Sequence, residues 1–208
     1  MSSVLGEAEP TWRAQRRSRI VSATVGLLRE GALDQVQMTE VAAAANVGKA
    51  TLYRYFASKQ ALFLACFDAF MDELCAGVEA AEHDVARPAD RLRAIIEVST
   101  GVLVRHKSFL RLLTRRKADL DDDSRRRLLA GRERLMTTLR HNLEDGMRQS
   151  DYRGADMDVV PALILGMLRG AIIADSAAPL KQLSQTMADL VLNGLTASHA
   201  GPSAERES

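Results

Sequence analysis

The 208-residue sequence predicts an all-α protein, and three observations carry that reading. Ala, Leu and Arg dominate while aromatic residues make up only 4%, a mix that favours helix. The 13 glycines and 5 prolines are too few for a turn-rich β-sandwich or a low-complexity chain. Apolar residues also recur at helical spacing along most of the chain, with no convincing alternating strand pattern.

Residues 1–10 lack periodicity and read as a tail, as do residues 200–208. A first helix is expected from Thr11 to Glu30, with Ile20, Ala23, Thr24, Leu27 and Leu28 on one face and Gly31 at C′. Short helices follow over 38–45, burying Met38, Val41 and Ala42, and over 49–56. Ser58 is a good N-cap for a long fourth helix carrying Phe63, Cys66, Phe67, Phe70 and Leu74. Pro88 and Asp90 open a fifth, with Leu92, Ile95, Ile96, Ser99, Val102 and Leu103 as its apolar stripe. A short segment spans 109–113. The run Asp122, Asp123, Ser124 then caps a long helix reaching about Gln149, with Leu128, Leu135, Leu139 and Leu143 inward. Two last helices cover roughly 157–176 and 179–198, about nine helices in all.

Composition excludes several classes. The longest stretch free of polar side chains, Val159 to Leu168, is about half the ~20 residues a membrane helix needs. No basic, apolar, small-residue leader is present at the start, so a soluble, cytoplasmic protein is expected. Cys66 and Cys75 stand nine residues apart on one helix, roughly 13 Å along its axis. That is too far for a disulfide, and the chain has no CxxC or HExxH spacing, so both read as core thiols. His83, His106, His141 and His199 are scattered, and His141 with Glu144 reads as a surface pair. No nucleophile elbow, P-loop or GxGxxG stands out, so no catalytic residue, metal site or cofactor is expected.

Charge is unevenly distributed. Net charge is only +1, but Thr11 to Gln60 holds eight basic residues against three acidic, a local balance of +5. A basic N-terminal unit on a near-neutral remainder points to nucleic acid or an anionic surface. Arg13, Arg16, Arg17 and Arg19 are either a solvated face or a phosphate-touching helix start. The Arg115, Arg116, Lys117 cluster and the run Arg125 to Arg127 read as solvated faces balanced by Asp119 and Asp121 to Asp123.

The informative stretch is 37–56. Two short helices joined by a tight turn, with the small residues Ala42 and Ala45 between them, make a helix-turn-helix. Val47 is the apolar residue of the turn, Leu52 points into the core, and Asn46 sits where φ > 0 is needed. The other face of the second helix offers Lys49, Thr51, Tyr53 and Arg54 to phosphates and base edges, and Lys59 adds charge at the next helix start.

In these residues the sequence resembles the TetR family of bacterial regulators. Val41-Ala42, Asn46-Val47, Thr51-Leu52-Tyr53, Tyr55-Phe56 and Ser58-Lys59 fall in the family's register, as do Ile20, Ala23 and Glu30-Gly31 upstream. There are three departures: Gln37 stands where Thr is frequent, Asn46 where the turn has glycine, and Gly48 where a hydroxyl residue usually caps. The resemblance implies a DNA-contacting set of Gln37, Thr39, Gly48, Lys49, Ala50, Thr51, Tyr53, Arg54, Tyr55 and Lys59. It implies a helix-turn-helix domain over 11–58 and a larger ligand-binding and dimerisation domain over 59–199.

Within the latter, Ala162, Gly166, Gly170 and Ala174 repeat every four residues, a ridge another helix can approach closely. It packs either within the monomer or, with Leu183, Met187, Leu190 and Val191, in a homodimer interface, as the resemblance implies. Phe63, Phe67, Phe70, Met71, Ile96, Leu103, Phe109, Leu113, Met136, Leu139 and Met167 form either a solid core or the wall of a pocket. The resemblance implies a pocket for an unidentified small, apolar ligand. The expected function is a repressor that binds a palindromic DNA operator as a dimer and is released by that ligand. The alternative is a helical ligand-binding or enzymatic protein whose helix-turn-helix serves only packing.

Overall fold

The computed structural model describes residues 11–30, 36–83, 85–115, 121–149, 151–152, 154, 156–173 and 178–195. Both tails, Gly31, Arg116, Lys117, Asp119, Ala174 and His199 lie outside them. The described residues hold nine helices: α1 Thr11–Glu30, α2 Met38–Ala44, α3 Lys49–Tyr55, α4 Lys59–His83, α5 Pro88–Arg105, α6 Lys107–Arg115, α7 Asp122–Arg148, α8 Val159–Ile173 and α9 Leu180–Leu195. The chain divides into two compact units, Met1–Asp72 with His106–Arg127, and Glu73–Arg105 with Leu128–Ser208. The division falls within α4 and α7, so each of those helices contributes to both units.

In the first unit α1 packs against α2 and α6, and α2 against α3. The buried stripe of α1 is Ile20, Val21, Thr24 and Leu28, whereas Ala23 and Leu27 are not fully buried. The expected face is thus rotated towards Val21, whose carbonyl lies 4.0 Å from the Cys66 sulfur of α4. The Thr24 hydroxyl returns a hydrogen bond to the Ile20 carbonyl at 2.8 Å, which lets a polar residue sit in the stripe. Met38 is only half-buried, while Val41 and Ala42 are buried as expected. Phe63 and Phe109 stack with ring centroids 4.9 Å apart, and Phe70 meets both His106 (5.3 Å) and Phe109 (6.3 Å). Such tilted and edge-on aromatic pairs add to the area they bury.

Polar side chains bridge the elements of this unit. Gln60 Nε2 of α4 donates to Asp121 Oδ2 at 2.7 Å, and Arg127 of α7 joins Asp68 (2.9 Å) and Asp123 (3.1 Å). The cap of α7 differs from expectation. It is Asp121, whose Oδ1 accepts the Ser124 N–H at 2.8 Å, rather than the run that follows it. Hydrogen bonds from Ser124 hold the Asp121 carboxyl below the usual carboxylate range.

In the second unit α5 packs against α8 and α9, and α8 against α9. Leu92, Ile95, Ile96, Ser99, Val102 and Leu103 are all buried, the stripe the spacing predicts. The chain after α7 folds back on itself, with the Asp151 and Tyr152 N–H groups donating to the Gly146 carbonyl at 2.8 and 3.2 Å. A Cβ at Gly146 would stand 2.0 Å from the Tyr152 ring, so glycine is what lets that aromatic close the end of the helix. Arg91 and Asp145 form an ion pair at 3.1 Å with little exposure on either side. His141 Nε2 lies 3.7 Å from Asp145 Oδ2, so its partner is Asp145 and not Glu144. Both cysteines are buried, and burial pushes the Cys66 thiol up to about 12, against a smaller lowering by Arg17.

Candidate nucleic-acid interface

The geometry of the helix-turn-helix comes from a few local bonds. Ahead of α2, the Gln37 N–H donates to the Glu40 carboxylate at 2.8 Å, tying down one of the donors left over at the helix start. At the other end, Asn46 adopts φ 52°, in the left-handed region. Its N–H bonds to the Ala43 carbonyl at 3.0 Å, and the Val47 N–H to the Ala42 carbonyl at 2.9 Å. This pair of bonds is a Schellman motif, and it needs a left-handed residue at C′. Asn46→Ala should therefore cost about 1–2 kcal/mol in chemical denaturation, while Asn46→Gly should be near neutral. Equal losses for the two would show that backbone strain is not the issue.

Gly48 then caps α3 with an extended backbone, and a Cβ there would meet nothing within 4 Å. Crowding within the protein therefore does not require glycine at this position. Leu52 is fully buried and Phe56 nearly so, fixing how α3 rotates on the unit beneath it. Lys49, Ala50, Tyr53 and Arg54 are exposed as a result, while Thr51 and Tyr55 are half-buried. The Tyr55 hydroxyl is enclosed and has no hydrogen-bond partner among the described residues. Ser58 accepts the Ala61 N–H at 3.1 Å and starts α4, with Lys59 half-exposed beside it. Gln37 and Thr39 are exposed at the start of α2, their side chains 3.5 Å apart. The Arg17 guanidinium lies over the Phe56 ring at 5.4 Å, a cation–π contact that brings α1 to the end of α3.

The residues singled out as pocket wall or core are shared between the two units. Phe63, Phe67, Phe70, Met71, Phe109 and Leu113 belong to the first unit, while Ile96, Leu103, Met136, Leu139 and Met167 belong to the second. All are buried but Met167, which is half-buried. Phe63 lines a crevice of only about 10 Å³. Two larger clefts open in the second unit. One, about 500 Å³, lies between α4 and α7 and is lined by Cys75, Val78, Glu79, Arg134, Thr137 and Thr138 among others. The other, about 540 Å³, involves Leu129, Arg132, Met136 and Arg140 of α7 with Asp158 and Ala162. Of the eleven candidates only Met136 lines either large cleft.

Several apolar residues of α8 and α9 are exposed in the single chain. Val159, Leu163, Gly166 and Gly170 are exposed on α8, and Leu180 and Leu190 on α9. Ala162, Leu183 and Val191 are half-buried, and Met187 is buried within the unit. Among the described residues no helix is long and apolar enough to cross a membrane.

Comparison with known proteins agrees with this geometry. The family model described as bacterial regulatory proteins, tetR family, matches residues 20–66. A second, the tetracyclin repressor-like C-terminal domain, matches residues 85–195. The HTH-type transcriptional repressor KstR of Mycolicibacterium smegmatis is 32% identical over 115 residues, covering 54% of this chain and 56% of that protein. The chain thus spans about half the length of the curated relatives it matches. Among solved structures, the TetR family regulator PfmR from Thermus thermophilus superposes with a TM-score of 0.73 at 25% identity, covering 84% of this chain and 97% of that one. AibR in complex with isovaleryl coenzyme A and operator DNA gives a TM-score of 0.69 at 23% identity over the same shares.

Proposed function

The chain belongs to the TetR family of bacterial regulatory proteins, and we propose that it is a transcriptional repressor that binds a palindromic operator as a homodimer. The observation that carries this reading is the outward face of α3. Leu52 and Phe56 lock one side of the helix into the core, so Lys49, Tyr53 and Arg54 must face outward together. A short helix with donors on its outer face, set by a rigid turn, is the element that enters a major groove. KstR, a repressor by name, and AibR, held with operator DNA, support the same role.

Release by a small molecule is the second half of the proposal. AibR is bound to isovaleryl coenzyme A, and both clefts beside α7 here are lined by apolar and charged side chains, one of them also by Thr137 and Thr138. Such a ligand would act by binding one conformation more tightly than the DNA-competent one. Regulation rather than catalysis is the role assigned to this chain.

A gel-shift titration tests the DNA reading, using a duplex that the wild-type protein enriches from a random pool. Lys49→Ala should alter base preference by about 1–3 kcal/mol at the position it reads. Lys59→Ala should weaken all duplexes alike and flatten the salt dependence by about 1.8 in log–log slope, one phosphate in each half-site at about 0.9 each. A wild-type protein that enriches no duplex overturns the proposed function.

A further inference from the structure

The start of α1 carries charge that no described residue neutralises. From Thr11 to Arg29 the helix has no acidic residue, yet it holds Arg13, Arg16, Arg17 and Arg19. Among the described residues none of these four is in an ion pair. The basic run at the start of α7 is answered instead: Arg125 faces Asp122, Arg126 faces Asp123, and Arg127 joins Asp123 and Asp68. The contrast marks the first turns of α1 as a basic edge rather than an ordinary solvated face.

Two further observations give that edge a direction and a partner. The stripe of α1 that is buried at Leu28, Thr24 and Ile20 continues by helical steps to Arg17 and Arg13. Its core-facing side therefore turns from apolar to cationic where the helix outruns the core. Arg17 reaches the Phe56 ring, which places the edge at the end of the helix proposed to read DNA. Beside it Trp12 is 54% exposed and lies under the Arg16 guanidinium at 5.4 Å. An exposed indole held by a guanidinium presents a flat apolar surface next to a fixed positive charge. That combination suits a sugar–phosphate backbone, which alternates apolar deoxyribose with anionic phosphate.

We propose that Trp12, Arg13 and Arg16 form a second DNA-contacting edge that grips the backbone flanking the sequence read by α3. The inference rests on the proposed function. It adds a contact that positions the protein without reading bases.

Trp12 is the only tryptophan in the chain, so its fluorescence reports on this edge alone. Titration of the full chain with the selected duplex should quench and shift the indole emission, saturating together with the gel-shift. The double variant Arg13→Ala/Arg16→Ala should lower the salt slope by about 3.6, two phosphates in each of the two half-sites at about 0.9 each, with base preference unchanged. Neither side chain is buried, so the variant should melt as the wild type does. Duplex binding with unchanged indole emission and an unchanged salt slope overturns the edge and leaves the repressor reading intact. An emission change with anionic phosphatidylglycerol vesicles but not with the duplex also overturns it, in favour of a membrane surface. A wild-type protein that binds no duplex removes both proposals.

Discussion

Gly170→Leu should turn the dimer into monomer while leaving the fold of each chain intact. A Cβ at Gly170 meets nothing within 4 Å in the single chain, and the same holds at Gly166. The substitution therefore has room in the monomer, and leucine is the better helix former by about 0.8 kcal/mol. In a two-fold interface the added side chain appears twice, because the same patch of each subunit meets the other. Each overpacked contact costs about 1–3 kcal/mol, so two should weaken the dimer at least roughly 30-fold. Leu163 and Leu190, 61% and 63% exposed, would be uncovered in the process. Sedimentation should find a monomer that melts no earlier than the isolated wild-type subunit and has lost tight operator binding. An unaltered dimer would move the interface off α8 and α9.

Leu52→Ala should damage stability and DNA binding together. Leu52 is fully buried in the middle of α3, and truncating such a leucine leaves a cavity worth about 2–5 kcal/mol. Against a typical domain stability of about 5–15 kcal/mol, that is a large fraction. Loss of the side chain also frees α3 to rotate on its core, which turns Lys49, Tyr53 and Arg54 away from any shared target. Tyr53→Ala is the control, since that ring is 43% exposed and its removal should leave the melting temperature alone while weakening operator binding. Thermal melts followed by circular dichroism, run beside gel-shifts, separate the two effects. A Leu52→Ala protein that melts with the wild type would mean that α3 is not anchored through this residue.

Residue order alone makes legible whatever short-range chemistry governs. A helix is specified by bonds four residues apart, and a cap by bonds within three. Ser58 at the start of α4 and the left-handed Asn46 between α2 and α3 are therefore written in their immediate neighbours. The outward set on α3 is legible for the same reason, because one buried leucine orients a seven-residue helix. The α5 stripe from Leu92 to Leu103 follows from spacing alone.

Packing settles the rest, where partners lie far apart along the chain or where space is left over. Gln60 meets Asp121 across 61 positions, and Arg93 meets Asp189 across 96; local pattern carries no trace of such pairs. The burial of Val21 in place of Leu27 depends on which helices cover α1, since both residues border the same stripe. Eleven apolar residues look alike as pocket wall or core, because apolar periodicity records that a side chain leaves water and not what it then touches. Phe63, Phe70 and Phe109 fill their space with one another. Two clefts of the second unit lie beside Thr137, Thr138 and Arg132 of α7. A cavity is the remainder after side chains from distant segments have been placed, so it has no residue pattern of its own.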